Sequence, residues 1–243
     1  MPAPAPVAVV TGASRGIGRA TAVELARRGM AVSLWGRPST EARSPAGAST
    51  SLEDALEEVR AAATGPAPTA LFCDVSSASD IDAAAAAVLR DLGTPQVVVN
   101  NAGVVRRGAL VHETTPESWD EVVAINLRGP FLVCRAFLPA MLAAGRGRFV
   151  HVASISATLG SPGAASYAAS KWGLVGLSKS LAEELRGTGL VSVALLPGSV
   201  DTTMLEGSGF DARMSAADVA RTLAFLALDA PPAITGSAVE MFG

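Results

Sequence analysis

The chain has 243 residues, a net charge of −3 and 17% charged residues, which argues against a nucleic-acid-binding surface because such a surface needs a dense basic patch. Hydrophobic residues make up 49% of the sequence, enough for a sizeable core, and α/β folds of this length often form one domain. The N-terminal stretch lacks the basic region of a signal peptide, and no uncharged apolar stretch reaches the length of a membrane span. We therefore expect a cytoplasmic protein with no nucleic-acid or membrane partner.

Short β-branched runs alternate with longer alanine-rich segments along the chain. The predicted strands, which are apolar throughout, cover residues 7–10, 31–35, 69–73, 96–100, 148–154, 191–196 and 237–241. The predicted helices cover residues 16–28, 52–63, 78–92, 116–144, 166–187 and 215–228. Apolar strands that alternate with helices indicate βαβ units and a parallel sheet covered on both faces. The sequence thus predicts one α/β domain over residues 1–243, a Rossmann-type doubly wound parallel sheet of about seven strands.

Two other features of the chain have plain interpretations. The segment 38–51 is rich in Pro, Ser, Thr and Ala and is longer than most crossover loops, so we predict a mobile surface loop. The alternative is a flap over the adenosine end of a cofactor.

Cys73 and Cys134 are the only cysteines, and they show no metal-ligand spacing. We therefore expect two free thiols and no metal site.

The glycine-rich stretch TGASRGIG (11–18) follows the first predicted strand directly and opens a helix. A dinucleotide pyrophosphate needs a tight turn, a backbone that it can approach closely, and helix N-terminal N–H groups aimed at it. Gly12, Gly16 and Gly18 can supply these features. Their spacing is G-x3-G-x-G, so the position after the first strand is what strengthens the prediction.

The end of the second strand indicates which dinucleotide binds. An acidic residue there would bind the adenine ribose 2′-hydroxyl of NAD, whereas an arginine would receive the 2′-phosphate of NADP. Gly36 lies where the acid is expected, and Arg37 follows it. Arg15 in the glycine loop can pair with the same phosphate. The sequence therefore favours NADP(H) over NAD(H).

Polar residues also follow the third and fourth strands. Asp74 either accepts a hydrogen bond from the adenine amino group or caps the following helix, and the sequence does not separate these alternatives. NNAG (100–103) ends the fourth strand, where its small residues let the backbone touch a ligand and its Asn side chains can tie neighbouring loops together.

Tyr167 is the only tyrosine, and Lys171 follows it at the i, i+4 spacing that puts both side chains on one face of a helix. A nearby ammonium group favours phenolate, so we expect Lys171 to lower the pKa of Tyr167. The phenol can then exchange a proton with a carbonyl or an alcohol near neutral pH. A surface tyrosine beside a solvated lysine is the alternative.

Further polar residues bear on the role of this pair. Ser154, at the end of the fifth strand, can hydrogen-bond a substrate oxygen, and we prefer it to Ser156, which lies beyond the strand end. Asn126, within the long helix, can hold a water that links Lys171 to solvent, or it is a core amide bonded to backbone. We interpret both histidines, His112 and His151, as structural.

The whole chain resembles the short-chain dehydrogenase/reductase family through TGASRGIG, NNAG, Asn126, Ser154, YAASK and LPGSVDT (196–202), in the expected order. The resemblance implies that Tyr167 is the general acid/base and that Lys171 lowers its pKa and holds the nicotinamide ribose. It also implies that Ser154 orients the substrate carbonyl and that Asn126 completes a proton relay. The cofactor contacts that it implies are Gly12, Ser14, Arg15, Gly16, Ile17, Gly18, Arg37, Asp74, Val75, Asn100, Ala102, Gly103, Tyr167, Lys171, Pro197, Gly198, Val200 and Thr202.

Within the family, the pattern looks most like 3-oxoacyl-(acyl-carrier-protein) reductases and related ketoreductases. The segment after Thr202 is shorter than the usual substrate lid, and the C-terminus lacks the Asp-Gly-Gly often found there. Arg146, Arg148 and Arg186 are either ordinary surface charges, which we prefer, or a basic rim for an acidic carrier protein.

We therefore predict an NADPH-dependent carbonyl reductase. Its substrate is a ketone or an acyl thioester, and in one version of the hypothesis this substrate is attached to a carrier. The alternatives are an NAD(P)+-dependent secondary alcohol dehydrogenase and, more remotely, a non-catalytic NADP-binding regulator. The resemblance implies a homotetramer, or at least a homodimer, packed through helices 116–144 and 166–187.

Overall fold

The structure of the chain, a computed structural model, describes residues 5–38, 51–160 and 162–243. In chain order, the strands of this described part are β1 (Val7–Thr11), β2 (Ala31–Gly36), β3 (Thr69–Phe72), β4 (Val97–Asn100), β5 (Gly147–Val152), β6 (Leu190–Pro197), β7 (Val200–Asp201), β8 (Met214–Ser215) and β9 (Ala238–Met241). The α-helices are α1 (Gly16–Arg27), α2 (Leu52–Ala62), α3 (Ala78–Asp91), α4 (Pro116–Val123), α5 (Gly129–Ala144), α6 (Ala165–Glu184) and α7 (Ala216–Ala224).

Seven of the strands form one sheet in the order β3-β2-β1-β4-β5-β6-β9, and every neighbouring pair is parallel. The predicted fold class, a Rossmann-type doubly wound sheet, is therefore confirmed. β7 and β8 pair separately and were not predicted, because two-residue strands carry no pattern that a sequence reading can detect. The predicted mobile loop lies, except for its end residues, outside the described residues.

Both faces of the sheet are buried against helices. Ala8 and Val10 of β1 join a core cluster with residues of α1, α2 and α7 on one face. Val7 and Val9 of the same strand join a second cluster with residues of α3 and α5 on the other face. Since each fully buried Val or Leu side chain contributes roughly 1.5–3 kcal/mol, apolar residues on both sides of a strand stabilise the parallel arrangement.

The predicted helix 116–144 is interrupted. A π-helical turn, Ala124–Arg128, separates α4 from α5, and it holds Asn126 at its centre. Such turns insert an extra residue into a helix and are frequent at functional sites. Of the described helical segments, Pro116–Ala144 is long and apolar enough to span a membrane by length and composition alone. Half of its apolar window is buried inside this fold, as for a core helix.

A series of buried polar side chains, connected by hydrogen bonds, runs across the middle of the sheet from β4 through β5 to β6. The imidazole Nδ1 of His151 lies 3.3 Å from Asn100 Nδ2, and its Nε2 lies 3.3 Å from Ser192 Oγ. Asn100 Nδ2 also donates to Cys134 Sγ at 3.5 Å, and Ser192 Oγ lies 3.1 Å from Ser178 Oγ. Burial, together with the nearby Lys171 charge, lowers the pKa of His151 to about 4. His151 is therefore a neutral member of the core at physiological pH.

This lowered pKa predicts a specific pH dependence of stability. An unfolded His151 binds a proton near pH 6.5 and the folded one only near pH 4, so the free energy of unfolding falls as pH drops between these values. The His151 contribution approaches about 1.4 kcal/mol per pH unit. In urea titrations between pH 7 and 4.5, His151→Asn is expected to show a shallower decline than the wild type. His112→Asn, at an exposed site, is the matched control and should keep the wild-type slope. Equal slopes for all three proteins would contradict the assignment.

Candidate active site

A cleft of about 720 Å³ lies at the carboxyl ends of the strands around β1 and β4, where the order of the strands reverses. Ligands of open α/β sheets bind at this position. Many residues predicted to contact a cofactor line the cleft: Gly12, Ser14, Arg15, Gly16, Ile17, Arg37, Asp74, Val75, Ala102, Gly103 and Thr202. The cleft is thus where the glycine loop predicts a dinucleotide.

Further lining residues were not predicted from the sequence to contact a cofactor. They are Pro38, Phe72, Cys73, Asp80, Asn101, Val104, Ile125, Thr203 and Met204. Most of them adjoin a predicted residue, so their position beside a strand end was the available signal. Asp80 comes from within α3, and no motif indicated that it approaches the cleft.

The glycine loop is shaped for close approach to a ligand. Gly12 has a φ of +65°, and a Cβ placed on it would lie 2.8 Å from Ala102 Cα. A Cβ on Gly18 would lie 2.3 Å from the Gly12 carbonyl oxygen, so α1 packs directly on the turn that precedes it. Side chains at these positions would displace the backbone that a pyrophosphate would have to reach.

The first turn of α1 has no side-chain cap, unlike those of four other described α-helices. The side chains of Ser51, Ser77, Thr115 and Ser215 accept hydrogen bonds from backbone N–H groups at the starts of α2, α3, α4 and α7. The N-cap of α1 is Arg15, whose side chain makes no such bond. An anion can therefore be bound by the first N–H groups of α1, which fits a dinucleotide phosphate.

Asn101 fastens the loop after β4 to the glycine loop. Its Nδ2 donates to the carbonyl oxygens of Thr11 and Gly12, at 2.9 and 3.1 Å. In return, Thr11 Oγ1 accepts from the backbone N–H groups of Asn101 and Ala102, at 3.0 and 3.1 Å. Asn101 therefore makes the predicted connection between neighbouring loops. The side chain of Asn100 instead belongs to the buried series of polar side chains around His151.

Arg37 and Asp74 lie together in the cleft beyond the ends of β2 and β3, with Arg37 Nη1 3.8 Å from Asp74 Oδ2. Asp74 Oδ1 accepts from the backbone N–H and the hydroxyl of Ser76, at 2.9 and 2.7 Å. The N-cap of α3 is Ser77, so the alternative that Asp74 caps this helix is wrong. The contact of Asp74 with an adenine amino group stays a prediction.

Tyr167 and Lys171 share one face of α6, as their spacing predicts. Lys171 Nζ lies 5.7 Å from the centroid of the Tyr167 ring and donates to the carbonyl oxygen of Val152 at 2.7 Å. Ser154 lies close enough to the Tyr167 hydroxyl to lower the pKa of the phenol. A Cβ on Gly103, in the cleft wall, would lie 3.6 Å from Lys171 Nζ. The structure thus brings these three side chains together behind one end of the cleft.

The electrostatics of this pair differ from the expectation. Burial raises the pKa of Tyr167 above its ordinary value, and this effect outweighs the Ser154 hydrogen bond and the Arg107 charge, both of which lower it. Burial lowers the pKa of Lys171 to about 8. The expectation that Lys171 lowers the phenol pKa is therefore wrong for this structure, in which the lysine is directed at the Val152 carbonyl and the cation acting on the phenol is Arg107.

Ser154 lies two residues beyond β5, which ends at Val152 rather than at the predicted residue 154. It is the N-cap of a short 3₁₀ helix, Ile155–Ala157, and its Oγ accepts from the Ser156 backbone N–H at 3.1 Å. This bond fixes the hydroxyl of Ser154 at the base of the loop. Ser156 contributes its backbone to this arrangement.

Asn126 is fully buried, and its side-chain amide is bonded on both sides. Its Oδ1 accepts from the Val104 N–H at 2.8 Å, and its Nδ2 donates to the Val104 carbonyl at 2.9 Å and to Ser170 Oγ at 3.0 Å. The interpretation as a core amide bonded to backbone is thus correct for these contacts. The proton relay through Asn126 stays a prediction.

Other predicted contacts lie away from the cleft. Gly18 is packed under the glycine loop, Val200 is buried in β7, and Pro197 ends β6. Gly198 lines a second cavity of about 390 Å³, together with Ile155, Leu159, Ser199, Gly209, Phe210, Asp211, Arg213 and Phe242. This second cavity lies beside the loop that holds Ser154 and is walled largely by apolar side chains.

The hypothesis of a basic rim for a carrier protein is not supported at this cleft. Arg146 and Arg148 lie where β5 begins, at the opposite end of the strand from Val152. Arg148 donates to the carbonyl oxygens of Leu226 and Ala230, at 3.0 and 2.6 Å. Arg186 pairs with Glu183. Arg148 and Arg186 therefore satisfy local partners, and Arg146 and Arg148 lie at the end of β5 away from the cleft.

A family model described as short chain dehydrogenase matches residues 6–211 of the chain. The chain belongs to the short-chain dehydrogenase/reductase family. "3-oxoacyl-[acyl-carrier-protein] reductase FabG" of Staphylococcus aureus (strain N315) is 33% identical over 248 residues, which cover 97% of this chain and 96% of that protein. "3-oxoacyl-[acyl-carrier-protein] reductase" of Synechocystis sp. (strain ATCC 27184 / PCC 6803 / Kazusa) is 34% identical over 249 residues, covering 98% and 96%. The crystal structure of levodione reductase matches with a TM-score of 0.87 at 30% identity, covering 97% of this chain and 95% of that one.

This short-chain dehydrogenase/reductase is therefore a ketoreductase-type oxidoreductase that uses a nicotinamide cofactor and acts on carbonyl or hydroxyl groups. The resemblance inferred from the motifs is confirmed. The glycine loop, the uncapped first turn of α1 and Arg37 form a donor set that fits a dinucleotide.

The packing of the glycine loop predicts a binding defect. Gly18→Ala is expected to lower the affinity for NADPH at least tenfold, because the new Cβ would displace the Gly12 carbonyl and with it the phosphate-binding turn. Titration of NADPH fluorescence measures the change, and circular dichroism verifies that the variant is folded. Gly160→Ala is the matched control, since a Cβ at this exposed site meets no described atom within 4 Å. A folded Gly18→Ala variant with wild-type affinity would show that the loop does not bind the cofactor.

Proposed function

We propose that this enzyme is an NADPH-dependent ketoreductase in which Tyr167 gives a proton to the substrate oxygen that becomes the alcohol. The observation that carries the proposal is that Ser154 and Lys171 both lie beside Tyr167, Ser154 close enough to act on the phenol and Lys171 Nζ 5.7 Å from the ring centroid. Lys171 Nζ lies behind the cleft wall, 3.6 Å from where a Cβ on Gly103 would be. One cleft thereby has a dinucleotide-binding turn and a proton donor.

Bound NADPH supplies the hydride that reduces the ketone carbon. The hydroxyls of Ser154 and Tyr167 donate hydrogen bonds to the ketone oxygen and stabilise the negative charge that develops there. Tyr167 then releases its proton to this oxygen as a general acid. Because burial raises its pKa, the phenol is protonated at neutral pH, which is the form that reduction requires. The same phenol, once deprotonated, is the base that alcohol oxidation needs, so its protonation does not by itself choose the direction.

In this proposal, Lys171 helps to return a proton to the site after Tyr167 has given its own to the substrate. Its pKa of about 8 lets it release and regain a proton at neutral to mildly alkaline pH. It can thus help to restore the proton of Tyr167 after each turnover. Asn126 holds the backbone of Val104 and the hydroxyl of Ser170, and so keeps the cleft wall and α6 in register.

The preference for NADPH rests on Arg37. Its side chain is 55% exposed at the adenosine end of the cleft, and the second strand ends in Gly36 rather than in an acidic residue. A guanidinium group there offers a fork of donors to the 2′-phosphate of NADPH, and an Asp or Glu that would repel this phosphate is replaced by glycine. Arg15, also in the cleft lining, can contribute a second positive charge.

The substrate proposed here is a compound with a ketone at the 3-position of an acyl group. The similar proteins of Staphylococcus aureus and Synechocystis sp. support this class, since both are named 3-oxoacyl-[acyl-carrier-protein] reductases. A carrier-bound thioester is one member of the class and a small free oxo compound is another. The cytoplasmic location stays a prediction.

We also propose a homo-oligomer, a tetramer or dimer, packed through residues 116–144 and 166–187. Large apolar side chains on these helices are exposed in the single chain. They are Trp119 at 38%, Phe131 at 48%, Leu142 at 44% and Trp172 at 55%. Exposed apolar surface of this kind marks interaction sites.

The proton-donor role predicts the behaviour of Tyr167→Phe. Loss of the hydroxyl is expected to lower kcat for ketone reduction by about 10²–10⁴-fold while NADPH affinity stays within threefold. NADPH absorbance over a panel of 3-oxo esters, thioesters and cyclic ketones measures kcat. Ser156→Ala is the control and should remain within threefold of the wild type. A non-catalytic regulator would bind NADPH and turn over no ketone in either form.

The cofactor assignment predicts the behaviour of Arg37→Gln. Removing one charge-assisted contact to the 2′-phosphate should raise KM for NADPH about tenfold and leave KM for NADH within twofold. Steady-state assays with both cofactors and one ketone measure the change. Arg60→Gln, which removes an exposed arginine paired with Glu57, serves as the control. A wild-type preference for NADH, or equal effects on both cofactors, would refute the assignment.

A further inference from the structure

Two consecutive arginines follow β4, and their surroundings differ. Arg106 forms a two-pronged ion pair with Glu121, through its Nε at 3.0 Å and its Nη2 at 2.7 Å. Arg107 forms no ion pair with a carboxylate of the described residues. Its Nη1 donates to the backbone carbonyl of Met204 at 2.8 Å. An arginine has five N–H donors, so this single bond leaves most of the guanidinium fork available to a ligand.

Arg107 is anchored at the meeting point of three loops. The next residue, Gly108, donates its N–H to the carbonyl of Gly163 at 3.0 Å, in the loop that leads into α6 and Tyr167. The bond to Met204 connects the side chain to the segment after Thr202, which lines the cleft. The loops that follow β4, β5 and β6 thus converge on this arginine.

The position of Arg107 relative to the phenol is equally informative. Its positive charge acts on the Tyr167 hydroxyl, lowering the pKa of the phenol against the effect of burial. The arginine is exposed, so a ligand can reach it from solvent. A substrate whose ketone oxygen meets Ser154 and Tyr167 would therefore have this cation beside the reacting group.

We infer that Arg107 is a specificity-determining residue that binds the carboxylate of a small oxo acid while its ketone lies against Ser154 and Tyr167. A planar guanidinium donates two parallel hydrogen bonds to a carboxylate. Esters and thioesters carry no negative charge, so they cannot form this charge-assisted pair. The inference rests on the proposed ketoreductase function and narrows its substrate to oxo acids. It also agrees with the position of Arg146 and Arg148 at the end of β5 away from this cleft.

A ratio of two substrates tests the inference. The value of kcat/KM for 3-oxobutanoate is divided by that for its neutral ethyl ester, so that any effect of Arg107 on the acidity of Tyr167 cancels. Arg107→Gln is expected to lower this ratio about 10- to 100-fold. Arg107→Lys, which keeps the charge but loses the fork, should lower it less. Arg106→Gln is the matched control and should leave the ratio within twofold.

A binding measurement separates this inference from the proposed function. In the Tyr167→Phe background loaded with NADP+, calorimetry measures the affinity for 3-oxobutanoate with and without Arg107→Gln. Tighter binding of the acid when Arg107 is present supports the inference even if no ketone is turned over. An affinity and a substrate ratio that Arg107→Gln leaves unchanged would overturn it. A wild type that reduces the ester or a 3-oxobutanoyl thioester better than the acid would overturn it as well.

Discussion

The hydrogen bond from Lys171 Nζ to the Val152 carbonyl connects the two elements on which the site is built. At 2.7 Å it joins the middle of α6 to the last residue of β5. Tyr167 lies one helical turn before Lys171, and Ser154 lies two residues after Val152, so this contact helps to hold the two hydroxyl-bearing segments together. Because the lysine is buried, this bond also satisfies a charge that would otherwise be costly in the core.

Burial has a consistent consequence for the titrating groups near this contact. It lowers the pKa of Lys171 to about 8 and that of His151 to about 4, and it raises the pKa of Tyr167. In each case the low-dielectric surroundings favour the neutral form. Burial therefore keeps Tyr167 protonated and makes Lys171 and His151 easier to deprotonate, while the exposed Arg107 is a positive charge that acts on the phenol.

Much of this architecture could be predicted from the sequence, because the strong signals are periodic or local. The apolar strands and the glycine loop indicated the sheet and the cleft, and the Tyr167–Lys171 spacing indicated a shared helix face. The π-helical turn at Asn126 carries no such signal, since it depends on how α4 and α5 pack. The predicted end of β5 lies two residues too late. Ser154 is in fact the N-cap of a 3₁₀ helix, but the strand-forming residues before it made the strand look as if it continued to residue 154.

The electrostatics of the phenol were the least accessible to a sequence reading. Chain spacing indicated that Lys171 is near Tyr167, but it could not reveal that the ammonium group is directed at a backbone carbonyl. Nor could it reveal that Arg107, far away in the chain, supplies charge to the same hydroxyl. That dependence makes substrate binding and acidity one coupled event. An anion on Arg107 would offset the charge that lowers the pKa of the phenol, so Tyr167 would hold its proton until negative charge develops on the ketone oxygen.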